Sequence, residues 1–91
     1  MKIEKYIESE VVKAAKADGW MARKLQWRDA RGAPDYLFLK NGWAVFIEFK
    51  SPGEEPRPDQ VREHQEMLEH GASVYVVDSV RGGLRALEVA R

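Results

Sequence analysis

The sequence predicts an α/β fold in which a mixed central sheet is flanked by helices, and three observations carry that prediction. Apolar runs at 36–39 and 43–49 are joined through Asn41-Gly42, the pair that accepts positive φ at both central positions of a type I′ hairpin. A helical stretch then separates the second run from another apolar run at 73–78; a right-handed βαβ crossover would make those two strands parallel. Residues 3–18 carry helical periodicity and are followed by Gly19 at a C′ position, which sets a helix beside the sheet.

The hairpin fixes a register. With Asn41 and Gly42 as the loop, Lys40 faces Trp43, and counting outward puts Asp35 across from Glu48. Opposed residues share a face with Cβ atoms roughly 4.5–5.5 Å apart, so two carboxylates are pressed together. Lys50, two residues beyond Glu48, returns to the same face. Like charges so placed are destabilising unless a cation lies between them, and hard oxygen ligands suit Mg²⁺ or Mn²⁺. The plainer alternative makes Glu48 and Lys50 an exposed ion pair on an edge strand, with Pro34-Asp35 merely opening a turn. Against it, residues 43–49 are apolar on both faces except at Glu48, the pattern of a central strand. A charge there needs a partner or a purpose.

Ninety-one residues bound the chain to one domain, 1–91, with a single core. Cysteine is absent, which excludes a disulfide framework and a thiolate zinc site, and a cytoplasmic setting is expected. No apolar run approaches the roughly 20 residues that cross a bilayer. Lysine and arginine total 15, matching 15 acids, so net charge gives no hint of a nucleic-acid partner. Its distribution does: Arg23, Lys24, Arg28, Arg31, Lys40 and Lys50 crowd between Trp20 and Lys50. A basic strip beside paired carboxylates suits a phosphodiester substrate, although arginines often only solvate a face.

Along the first helix, Ile3, Ile7, Val11 and Ala14 form one stripe, Tyr6 lies on its edge, and Glu10 falls in its middle. Glu10 is either an amphipathic accident or a group directed at something positive. Residues 20–27 are expected as a first strand, with Arg23 and Lys24 marking an exposed side or an edge. The polar loop 28–33 then reaches Pro34, which biases Ala33 toward extended backbone and delivers Asp35 into the sheet. Arg28 and Arg31 travel to the mouth of the site, where they would hold phosphates or simply solvate the loop. Residues 51–58 are too rich in proline and glycine for regular structure and are expected as a mobile loop over the site. The second helix starts at 58 or 59 and stops before Gly71, burying Val61, His64 or Gln65, and Leu68, with Met67 alongside. Gln60 sits in its first turn, near the positive dipole end. His64 and His70, six apart, do not share a face and read as ordinary helix residues. The tail 80–91 is expected as a short helix, with Leu84, Leu87 and Val89 or Ala90 as apolar contacts after Gly82-Gly83.

A helix with Glu10, then Gly32-x-Pro34-Asp35, then Glu48-x-Lys50, then a helix opening with Gln60 resembles the PD-(D/E)XK nuclease superfamily, and within it the stand-alone VRR-NUC domain. The resemblance runs from Glu10 to Val77. It implies a restriction-endonuclease-like αβββαβ core and metal-dependent hydrolysis of DNA phosphodiesters, with Mg²⁺ or Mn²⁺ as cofactor. It further implies that Asp35, Glu48 and the Phe49 carbonyl bind the metal, and that Glu10 holds a metal-bound water or a second metal. Lys50 would orient or deprotonate the attacking water, and Gln60 would steady that lysine or a phosphate. Lys24, Arg28 and Arg31 are the expected DNA contacts. Stand-alone members resemble Holliday junction resolvases, so a structure-selective endonuclease, dimeric and acting on branched DNA, is the expected function, in a bacterial or phage-infected cell. A non-catalytic DNA-binding module of the same fold and a sequence-specific restriction-type nuclease are the alternatives.

Overall fold

The protein was studied as a computed structural model, which describes residues 2–89. Its elements follow in the order α1 (Ile3–Ala17), β1 (Met21–Lys24), β2 (Tyr36–Lys40), β3 (Trp43–Phe49), α2 (Pro58–Glu69), β4 (Ser73–Val77) and α3 (Val80–Val89). The expected αβββαβ order is present, followed by one more helix. The four strands form one mixed sheet in the order β1-β2-β3-β4, antiparallel except for the parallel β3–β4 pair.

The Asn41-Gly42 turn sets the frame. Both residues take positive φ, 50° and 83°, and Lys40 pairs with Trp43 as the turn requires. Pairing then runs down to Tyr36 opposite Ile47. Asp35 follows just beyond the end of this ladder, where its carboxylate meets the Phe49 amide beside Glu48.

Alternation divides the sheet. Val45, Ile47 and Phe49 of β3 point to one face with Ala22, Phe38 and Val77, and together with Ile7, Val11 and Ala15 of α1 and Ala86 and Leu87 of α3 they form the core. Helix α1 lies against both the sheet and α3. At Gly83 an added methyl would sit 2.5 Å from a Val11 methyl, so the two helices meet closely there. The tail helix starts at Val80, where the expected tail segment begins, and takes Gly82-Gly83 into its first turn. Residues Ala90 and Arg91, within the expected tail helix, lie outside the described residues.

Two expectations about helix faces are corrected. Helix α1 buries Ile7, Val11 and Ala15, whereas Ile3 and Tyr6 are exposed. Its packed arc is centred on Val11, which the approach of α3 dictates, and not on the 3-7-14 side. Helix α2 buries Gln60 and His64, while Val61 (51%) and Leu68 (48%) remain exposed. It packs on the sheet through its polar stripe because that stripe meets the buried acid of β3. The first strand is also shorter than expected, stopping at Lys24 where the chain leaves for the loop.

Candidate active site

The site occupies the end of the sheet where β3 finishes. Strand β3 runs between β2 and β4, so Glu48 and Lys50 are only 2% and 6% exposed. The pair is therefore buried on a central strand. Lys50 Nζ lies 3.3 Å from Glu48 Oε2, closer than expected of a lysine at the rim, and the same oxygen accepts a 2.8 Å bond from Gln60 Nε2. Glu48 Oε1 is buried with no hydrogen-bond partner among the described residues. Across the ladder, Asp35 Oδ2 accepts a 2.7 Å bond from the Phe49 amide.

Two acids held this way resist ionisation. Burial pushes the Glu48 carboxyl up to about 7, and the neighbouring Asp35 adds to the shift against the opposing pull of Lys50 and Gln60. Asp35 is also raised, again first by burial, although the Phe49 amide opposes it. Sites that combine desolvation with a like-charged neighbour are where chemistry tends to be found.

The helix α1 acids near this pair are Glu4 and Glu8. Burial raises the Glu4 carboxyl and the field of Asp35 adds to it; the charge of Glu8 acts in turn on Asp35. Glu8 also holds Lys24 at 3.1 Å. Glu10 enters no ion pair or side-chain hydrogen bond among the described residues. At 100° per residue Glu4 lies roughly 20° from Val11, Glu8 roughly 60° and Glu10 roughly 100° on the other side. The sequence signal for Glu4 and Glu8 is the 7-11-15 spacing, which Ala15 offers as readily as Ala14 offers the alternative.

Helix α2 supplies the other wall. Gln60, at its third position, accepts a 2.9 Å bond from the Arg57 amide through Oε1, a side chain folded back to cap its own helix. That bond orients the amide so that its nitrogen points at Glu48. In this arrangement Gln60 steadies the carboxylate, where the expected partner was Lys50 or a phosphate. Of the expected DNA contacts, Lys24 is engaged by Glu8 and lies 5.5 Å from the Tyr36 ring centre. Arg31 is exposed and 3.9 Å from Asp59, and Arg28 is exposed. Residues Ser51 to Glu54 form a turn tied by Glu54 to its own start and by the Gly53 amide to Asp78.

The donor set fits a divalent cation. Glu48 Oε1 is a buried oxygen with no partner, beside a second carboxylate, and unpaired buried acceptors are costly. No group of three or more His, Cys, Asp or Glu that could hold a metal occurs among the described residues. A small number of carboxylates with several waters is how Mg²⁺ is usually held, and it favours the harder cations over zinc.

No family model matches the chain. It is 45% identical over 78 residues to a protein named "Putative nuclease p44" from Acyrthosiphon pisum secondary endosymbiont phage 1, over 85% of this chain and 80% of that protein. A solved structure described as a VRR_NUC domain superposes with a TM-score of 0.88 at 32% identity, covering 97% of each chain.

Proposed function

The chain belongs to the VRR-NUC family of nucleases, and from that premise we propose that it is a divalent-metal-dependent endodeoxyribonuclease acting on branched DNA as a homodimer. The observation that carries the reading is the buried pair of Asp35 and Glu48, with one Glu48 oxygen unsatisfied and Lys50 beside the other. Asp35 and Glu48 would hold Mg²⁺ or Mn²⁺, with the Phe49 carbonyl as a further ligand. When bound, such a cation supplies Lewis acidity at the phosphoryl oxygens and lowers the pKa of a coordinated water.

The protein's own groups do the rest. The Lys50 ammonium, held by Glu48, would orient the attacking water through a hydrogen bond and set a positive charge beside the developing phosphorane. Gln60 holds Glu48 in one rotamer. Glu8 and Glu4 border Asp35 from the α1 side and would hold a metal-bound water or a second metal, the role the resemblance implies for Glu10. In-line attack by water would form the new P–O bond as the bond to O3′ breaks, the water giving a proton to solvent and O3′ taking one up, to leave a 5′-phosphate and a 3′-hydroxyl. Arg28 and Arg31 would contact phosphates.

The molecule measures 33 × 31 × 23 Å, about one turn of duplex at 3.4 Å per base pair. One copy therefore covers a single arm of a junction, and two copies related by a two-fold would cut two strands symmetrically. Incubation with Mn²⁺ and a labelled four-way junction should give paired nicks, and light scattering should give twice the chain mass. Lys50→Ala should bind the junction and lower the cleavage rate by at least 100-fold, on the scale of lost acid-base and electrostatic stabilisation. Cleavage by Lys50→Ala at the parent rate would remove Lys50 from this role.

A further inference from the structure

Among the described residues four polar side chains are buried, Glu48, Lys50, Gln60 and His64. The first three belong to the site. The fourth is one helical turn beyond Gln60 on the same face of α2, 6% exposed, and has no part in the chemistry above. Burying an imidazole is unfavourable unless its nitrogens are bonded. The Gly32 backbone lies close enough to His64 to act on its charge as a hydrogen-bonding group, and because Nε2 is buried without a partner among the described residues, Nδ1 is the nitrogen left to face it. Burial holds the ring's pKa below its ordinary value, so it is neutral and carries one N–H.

The segment it touches is the one that delivers Asp35. Gly32 has φ +90°, and a methyl there would lie 2.4 Å from the Asp59 carbonyl oxygen and 2.9 Å from Gln60 Cα. The loop backbone thus rests directly on the first turn of α2. Trp27 Nε1 donates to Glu63 on the same helix. Two residues after Gly32, Pro34 is fully buried, which leaves little freedom between Gly32 and Asp35. Helix α2 consequently reaches Glu48 directly, through Gln60, and reaches the loop that leads to Asp35 at Gly32.

We infer that His64 is a positioning residue: by holding the Gly32 backbone on α2, it sets Asp35 opposite Glu48 and thereby sets the affinity of that pair for a divalent cation it does not touch. The inference rests on the metal-dependent reading given above, and its test separates the two. His64→Asn places an amide nitrogen near the position of Nδ1, His64→Gln places it near Nε2, and His64→Leu offers no nitrogen. Mn²⁺ binding by calorimetry should be within about threefold of the parent for His64→Asn. It should be weaker by roughly 10-fold for His64→Gln and His64→Leu, the low end of effects for groups supporting metal ligands. Amide hydrogen exchange supplies a readout that needs no metal. The Phe49 amide, bonded to Asp35 Oδ2, should stay protected in the parent and His64→Asn and exchange at least 10-fold faster in His64→Gln. Equal protection of Phe49 in all variants, or equal loss in Asn and Gln, overturns the positioning role. Absent Mn²⁺ binding by the parent, with the Phe49 pattern as expected, overturns the metal-dependent reading and leaves His64 as the group that places Asp35.

Discussion

At Glu48 two demands on one side chain meet: a buried acid is easiest to keep when protonated, and a metal ligand must be ionised. Its carboxyl titrates near 7 because of burial and Asp35. A raised carboxyl binds its proton more tightly in the folded state, so its contribution to stability is complete below about 4.5 and is lost as pH rises through about 7. His64, held below its ordinary value, acts in the opposite sense: its contribution is present above about 6.5 and falls away on acidification. A comparison that cancels His64 isolates the acid. The urea midpoint of the parent relative to Glu48→Gln should therefore fall as pH is raised from 5 to 8. Cation binding competes with the same proton, so the apparent Mn²⁺ affinity should rise between pH 6 and 8, most steeply below 7, in calorimetric titrations. At the periphery, Arg28→Ala and Arg31→Ala should each weaken DNA binding without regard to sequence and lower the slope of log K against log salt by about 1. How far residues can be read from sequence is uneven here. Asp35, Glu48 and Lys50 were legible because a two-residue turn counts outward without error. The acids of α1 were not, because Ala14 and Ala15 are equally good apolar third positions and only the docking of α3 on Val11 chooses between them.

At the scale of elements, the hairpin and α2 divide the work of building the site, and two glycines show how differently backbone is constrained in each. Gly42 sits at φ +83° with nothing within 4 Å of an added methyl. Gly42→Ala should cost only the left-handed strain, about 1–2 kcal/mol, and leave Mn²⁺ affinity unchanged. Gly32→Ala adds to similar strain a collision with the Asp59 carbonyl. It should cost roughly 2–4 kcal/mol by denaturant unfolding and weaken Mn²⁺ binding as well, because relief of the collision moves the loop carrying Asp35. The sequence placed α2 to within a residue at each end through Pro58 and Gly71, and of the buried side it suggested, His64 is buried while Val61 and Leu68 are exposed. Periodicity locates apolar stripes well. It misleads when a helix packs through polar groups against a buried charge, as α2 does through Gln60 and His64.

For the whole molecule, the sheet is thickly covered on the side of α1 and α3 and sparsely on the side of Glu48. Alternation puts Met21 and Val76 on this second side, both well exposed, and α2 leaves Val61 and Leu68 uncovered beside it. The architecture as a whole was readable because the hairpin and the βαβ crossover are both handed and local; the uneven dressing of the two faces was not, since no single run in the chain records it. The unsatisfied Glu48 oxygen carries a consequence for the protein's lifetime. A ligand that binds only the folded form stabilises it, by about 2.7 kcal/mol at a hundredfold excess over its dissociation constant. If Asp35 and Glu48 hold a cation as proposed, chelation should accordingly lower the melting temperature and hasten digestion by an added protease, so that scarcity of the ion would reduce the number of intact copies as well as the work each one does.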